Sequence, residues 1–243
     1  MYDRDVIKAF VNYLRANGYP SIEIDRWPED ENRNRPEIDG IAGPFAIEHT
    51  SVDTLRNQRR DSDWFMQAIG DIGSELHDIT FRLRIYIEYD VVAKGQNWSR
   101  IRQAIKTWIA SDASRLTDGR HVIEDISGVP FRMCVIKHSD RPPGVHVGRL
   151  GPSDNTLSSR MCTLFDRKAQ KLARYHRTGK TTVLLVENDD LALMNNPHML
   201  KAIQEAFPNG LPESVNEVWY ADTSIPEKVE FYNYTSELVR KAD

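Results

Sequence analysis

Four consecutive branched aliphatic residues, Val183-Leu184-Leu185-Val186, constrain the fold of this chain more than any other short run. Side chains alternate along a strand, so an unbroken apolar run demands apolar cover on both faces. The surrounding pattern supplies candidates for that cover. A helix is predicted at 157–177, the strand itself at 182–187, a second helix near 197–207 and a further strand near 217–221. Strand, helix and strand in that order read as a βαβ unit. The predicted class is α/β, a central mixed β-sheet flanked by helices, with the βαβ unit as a C-terminal extension.

The N-terminal part has the same alternation of elements. Val6, Ile7, Phe10, Val11 and Leu14 recur at helical spacing over 3–17, and Gly18 follows as a stop. Strands are predicted at 21–27, 37–42 and 44–50, with a charged loop over 28–35. A helix capped by Asp53 or Thr54 reaches to about Leu76. Residues 81–90 alternate strictly, with Phe81, Leu83, Ile85, Ile87 and Tyr89 on one face. An amphipathic helix follows around 101–109. The stretch 111–155 is the hardest to read, with strands expected at 131–137 and 145–150 on either side of Arg-Pro-Pro-Gly. The expected organisation is one domain over 1–243, comprising a core at 1–90, an insertion at about 111–155 and a C-terminal part at 157–243.

Composition narrows the function classes. Hydrophobic residues make up 40% and charged residues 28% of 243, which allows a sizeable core and argues against global disorder. A net charge of -4 argues against a protein that coats nucleic acid non-specifically; a nucleic-acid enzyme needs its positive charge gathered on one face. Cys134 and Cys162 each lie in an apolar run and are expected to be buried free thiols. The charged N-terminus lacks a signal-peptide pattern, and no run is long and apolar enough to span a bilayer. A cytoplasmic protein with no membrane partner is expected.

The chemistry centres on residues 35–50, Arg-Pro-Glu-Ile-Asp-Gly-Ile-Ala-Gly-Pro-Phe-Ala-Ile-Glu-His-Thr. A Gly-Pro turn between two apolar runs folds them back as a hairpin. Alternation puts Phe45, Ile47 and His49 on one face and Ala46, Glu48 and Thr50 on the other. Asp39, on the other arm, then comes close to Glu48. Two neighbouring carboxylates repel unless a divalent cation sits between them, and carboxylates on adjacent strands suit Mg²⁺ (or Mn²⁺). An Asp before Gly in a turn and a Glu on an edge strand also have ordinary structural roles.

In this stretch and its flanks the chain resembles the PD-(D/E)XK, or restriction-endonuclease-like, nuclease superfamily. A helix, a strand, Pro36-Glu37-Ile38-Asp39, a short turn, an apolar strand ending Ile47-Glu48-His49-Thr50 and a following helix carry the likeness, over about residues 1–90. Asp39 matches the first acid of the family motif and Glu48 the second. Thr50 occupies the position where the motif has its lysine, a departure. The resemblance implies a restriction-endonuclease-like core and Mg²⁺-dependent phosphodiester hydrolysis, on DNA ahead of RNA, in a role such as defence against foreign DNA. It places the metal on Asp39 and Glu48, with the His49 backbone carbonyl completing the site. Double-strand cutters with one site per chain often pair, so a homodimer is compatible.

The missing lysine has candidate substitutes. On the helix at 157–177, Met161, Phe165, Lys168 and Leu172 fall on one stripe, so Lys168 projects from an apolar face, with Lys171 at its border. A lysine there must reach solvent or meet a carboxylate. The superfamily is known for moving its lysine to a neighbouring helix, and Lys168, with Lys171 behind it, resembles such a replacement. The His49 side chain shares a face with Phe45 and Ile47 and reads as a hydrogen-bonded core histidine. Arg56, Arg59 and Arg60, together with Arg167 and Arg174, are candidate phosphate contacts on one basic cleft, although charge runs on helices are commonly solvated faces.

Gly179-Lys180-Thr181-Thr182 imitates a nucleotide-binding loop, but position 174 is Arg where a further glycine is needed, and a helix precedes the strand. An ATPase is therefore not expected. The alternative to a nuclease is a catalytically silent relative that binds nucleic acid or a protein; Thr50 favours it, whereas two acids kept side by side favour the enzyme.

Overall fold

Along the chain, the computed structural model, which describes residues 3–32, 35–152 and 154–238, places its elements in three stretches. The first holds α1 (Asp3–Ala16), β1 (Ile24–Arg26), α2 (Pro28–Glu31), β2 (Gly40–Ala42) and β3 (Phe45–Ser51). The second holds α3 (Gln58–Phe65), β4 (Arg82–Glu88), α4 (Trp98–Ser111), β5 (Gly119–Ile123), β6 (Met133–His138) and β7 (Gly144–Leu150). The third holds α5 (Leu157–His176), β8 (Thr181–Asn188), α6 (Asn196–Ala206), β9 (Glu217–Asp222), β10 (Glu230–Asn233) and α7 (Thr235–Leu238). Met1–Arg56 and Asp154–Asp243 form one unit, and Asn57–Ser153 forms a second.

The first unit is built on a six-stranded mixed sheet in the order β1-β2-β3-β8-β9-β10. The pairs β3–β8 and β8–β9 are parallel, and the outer pairs are antiparallel. β8 carries the four aliphatic residues, and all four are fully buried. Val183 and Leu185 pack with Phe10 of α1 and with Phe45 and Ile47 of β3. Leu184 and Val186 pack on the other side with Phe165 of α5 and Ile203 of α6. The two-sided burial expected of this strand is therefore met. The βαβ unit β8–α6–β9 also forms, but as part of the sheet centre and not as an extension, because β8 hydrogen-bonds β3 directly.

The second unit has a four-stranded sheet, β5-β6-β4-β7. Leu83, Ile85 and Ile87 of β4 face Ile101, Ile105 and Ile109 of α4 in one core, as the alternation over 81–90 requires. This partition differs from the expected core at 1–90 and insertion at 111–155. The inserted unit begins at residue 57, and β4 belongs to it. β6 and β7 are not neighbours, since β4 lies between them and pairs in parallel with β7.

The helix expected to run from 53 or 54 to 76 is shorter and broken. It starts at Gln58 after Asn57, whose left-handed backbone (φ 61°) supplies no side-chain cap, and it continues as a π-helical turn at Met66–Gly70 and a 3-10 turn at Ile72–Glu75. Gly73 fits this path closely, because a Cβ there would stand 2.2 Å from the Val145 carbonyl oxygen. β5 and β10, absent from the sequence reading, are both edge strands in which no residue is fully buried. Cys134 and Cys162 are free, and both are half-buried rather than buried.

Leu184→Ala is expected to lower unfolding stability by about 2–5 kcal/mol, measured by urea denaturation, because the site is enclosed on all sides. A loss below about 1 kcal/mol would mean that the strand is not sandwiched between helices.

Candidate active site

β2 and β3 pair antiparallel with Gly40 opposite Ile47, so the next residues outward along the two strands are Asp39 and Glu48. The β3 alternation holds: Phe45 and Ile47 face α1, whereas Ala46 lies in the core under α5. Glu48 points to the α5 side with none of its surface exposed. A carboxylate taken so far from water costs several kcal/mol unless it meets charge or hydrogen bonds.

Two ammonium groups meet it. Lys168 Nζ donates to Glu48 Oε1 at 2.5 Å, and Lys171 Nζ lies 2.9 Å from the same oxygen. Both lysines come from successive turns of α5, and each side chain is about one-fifth exposed (20% and 21%). Their outer surfaces line a cleft of about 630 Å³ with Pro36, Arg167 and Gln170. Glu48 Oε2 is buried without a hydrogen-bond partner among the described residues.

The electrostatics agree with this geometry. Burial pushes the Glu48 pKa up, the Asp39 charge pushes it the same way, and Lys168 opposes both. That dependence places the Asp39 and Glu48 charges within each other's field, as the hairpin register implies. Burial is the largest influence on the Lys171 ammonium and works against it, but its bond to Glu48 and the charges of Glu48, Asp39 and Glu29 together outweigh burial, and its pKa is raised. Asp39 Oδ2 accepts a hydrogen bond from the His49 backbone N–H at 2.7 Å, which fixes the acid against the edge of β3.

Glu37, in the same Pro-Glu-Ile-Asp stretch, ties that stretch to α5. Its two oxygens accept from Arg174 Nη1 at 2.8 Å and from the Tyr175 hydroxyl at 2.7 Å. The Tyr175 bond first, then Arg174 working against burial, holds the Glu37 carboxyl below its ordinary value. The Tyr175 hydroxyl is pushed up to about 12 by burial and by Glu37. Arg174, expected at a phosphate, is thus already paired with a carboxylate. The motif gave no sign of this role for Glu37, although Tyr175 on the rim of the helix stripe was a pointer. Arg160 is another residue the sequence did not single out. It donates to the Asp53 and Thr54 carbonyls at 3.0 and 2.9 Å and pairs with Asp154, holding the chain that leaves β3 against α5.

The His49 side chain lies on the other face of the sheet, in contact with different groups. Its Nε2 is 3.1 Å from Glu187 Oε2, and Glu187 Oε1 accepts from the Thr223 hydroxyl at 2.9 Å. Burial raises the Glu187 pKa, but His49 and Thr223 together bring it below its ordinary value. Asp3, His49 and Glu187 offer ligand atoms within 4.8 Å of one another, so this group could also hold a metal ion. It is separate from the Asp39–Glu48 pair, because alternate residues of β3 face opposite ways.

The expected arginines divide between the units. Arg56 and Arg167 are exposed in the first unit, whereas Arg59 and Arg60 lie on α3 of the second, where Arg60 pairs with Asp61. Thr50 is buried on the Glu48 face of β3, one strand repeat along. Comparisons with protein-family models, with curated proteins and with solved structures gave no match.

Replacing both lysines, as Lys168→Met with Lys171→Met, strands the Glu48 charge and is expected to cost about 3–5 kcal/mol. Adding Glu48→Gln to that variant should recover more than half of the loss in the same urea titration. Simple additivity of the three changes would show that the contacts carry no coupling.

Proposed function

We propose that the first unit is a restriction-endonuclease-like core and that the protein is a Mg²⁺-dependent phosphodiester hydrolase acting on nucleic acid, DNA ahead of RNA. The observation that carries this reading is the environment of Glu48: a buried carboxylate with two lysines on one oxygen, no partner on the other, and a second acid alongside. The order helix, three strands with the short α2 between the first two, then helix supports the fold-level part, with α5 as the helix that follows β3 once the 57–153 unit is set aside.

The residues present fit a hard divalent ion. Mg²⁺ takes oxygen ligands, one or two of them protein carboxylates, and keeps several waters. Asp39 and the unpartnered Glu48 Oε2 are the carboxylates. A strand residue directs its N–H and C=O the same way, so the His49 carbonyl lies on the edge where Asp39 takes the His49 N–H. When bound, such an ion activates water and offsets charge on a phosphoryl oxygen.

The chain's own residues have distinct tasks in this reading. Lys168 and Lys171 hold Oε1 and oppose the burial that raises the Glu48 pKa, while Oε2 has no partner among the described residues. Their charge at the cleft wall favours the extra negative charge of the transition state over the ground state. Glu37, through Tyr175 and Arg174, keeps the Asp39 segment and the lysine helix in one register. Thr50 bears no charge where the family motif has its lysine, so the alternative is a silent fold that binds without cleaving.

Cleavage or nicking of DNA that requires Mg²⁺ or Mn²⁺ is expected from the intact protein. Asp39→Ala and Glu48→Ala should abolish it, and Lys168→Ala should lower the rate by about 10²-fold or more. A Lys168→Ala variant that loses thermal stability but keeps its rate would remove the lysine from the chemistry. Binding without hydrolysis by the unaltered protein, across both metals, would favour the silent fold.

A further inference from the structure

The sheet of the second unit has one face covered by α4 and the turns before β4, while its other face carries a patterned set of half-buried and exposed side chains. The strand register places them in rows. One row reads Arg120, Ile136, Arg84, His146 across β5, β6, β4 and β7, and the next reads Val122, Cys134, Tyr86, Gly148. His138 and Arg82 flank the first row, and Glu88 and Leu150 flank the second.

Positive charge predominates on this face, although Glu124 also lies near Arg132. Glu88 is the carboxylate of these rows, and Arg132 neutralises it through a 2.6 Å contact. Among the described residues Arg120 donates only to the Cys134 sulfur, at 3.1 Å. Arg82 and Arg84 have no carboxylate partner among the described residues, and Arg82 Nε lacks any hydrogen-bond acceptor. Guanidinium groups without carboxylate partners on β4 and β5, the two strands that flank β6, suit a polyanion, since each presents a planar donor fork to phosphate.

The apolar part of the face narrows the choice. A Cβ at position 148 would stand 3.4 Å from the Tyr86 ring, so the ring lies against the bare backbone of Gly148. Val122 and Leu150 are more than half exposed (57% and 52%), and with Tyr86 and Arg120 they border a hollow of about 170 Å³. A flat aromatic ring among arginines is a platform for an unstacked base; a duplex keeps its bases inside and has no use for it.

We propose that this face binds single-stranded nucleic acid, with Arg82, Arg84 and Arg120 on phosphates and Tyr86 under a base. The inference rests on geometry independent of Glu48, and it deepens the hydrolase reading by naming the strandedness of the polymer that the protein holds.

The test uses the full chain with Glu48→Gln, in EDTA, and labelled oligonucleotides of about 20 residues in anisotropy titrations. Single-stranded DNA or RNA should bind, with the two sugars compared side by side, and a duplex should bind at least about tenfold more weakly. Tyr86→Ala should weaken binding by about tenfold while Tyr86→Phe retains it, because stacking is worth about 1–3 kcal/mol per base. Arg84→Gln with Arg120→Gln should lower the slope of log K against log salt by about 1.4, at about 0.7 per phosphate contact in single strands. Circular dichroism confirms that each variant is folded. No binding, or equal binding by all variants, overturns the proposal. So does equal affinity for polyglutamate together with indifference to Tyr86→Ala, which would assign the face to acidic protein. Binding by this variant with no cleavage by the unaltered protein leaves the proposal standing and defeats the hydrolase; cleavage without binding to this face does the reverse.

Discussion

A carboxylate removed from water and held by two ammonium groups is the interaction around which the first unit is arranged. Burying Glu48 alone would cost several kcal/mol, and the Asp39 charge adds to that cost. Lys168 and Lys171 offset it only because α5 lies across β3 and presents two successive turns to the same oxygen. The features that fix α5 there, Glu37 with Tyr175 and Arg174, and Arg160 on the chain leaving β3, therefore also hold the two ammonium groups against the acid, opposing the burial that raises its pKa. An arrangement built only for stability would have no reason to leave Glu48 Oε2 buried without a partner among the described residues, since an unmade hydrogen bond of this kind costs about 1–3 kcal/mol.

Much of this was legible in the sequence, for identifiable reasons. Period-two alternation separated Glu48 from His49, and the structure places their side chains on opposite faces. Helical spacing put Lys168 on the buried stripe of α5, where a lone ammonium must reach solvent or meet a carboxylate, and the structure pairs it with Glu48. The continuous aliphatic run of β8 demanded cover on both faces, and α1 on one side with α5 and α6 on the other provide it. These are local constraints, and short-range pattern is enough to express them.

What the sequence did not reveal depends on long-range pairing. No local signal marks residue 57 as the start of a second unit, because the amphipathic pattern at 65–76 is equally suited to a helix on either sheet. β4 alternates as a half-buried strand must, but alternation does not say which neighbours it pairs with, and it inserts between β6 and β7. The Glu187 partner of His49 is 138 residues away in sequence and becomes visible only when β3 and β8 align. The open arginine face of the second unit arises in the same way, from four strands whose exposed residues are unremarkable one strand at a time.

Calorimetric titration with Mn²⁺ tests the central claim most directly, because it reads ion binding without requiring a substrate. One ion per chain is expected, bound by the intact protein and lost in both Asp39→Ala and Glu48→Gln. Retention in Glu187→Gln is part of the same expectation, since Glu187 faces the other side of the sheet. Binding that persists in Glu48→Gln but disappears in Glu187→Gln would move the ion to the His49 side and contradict the account.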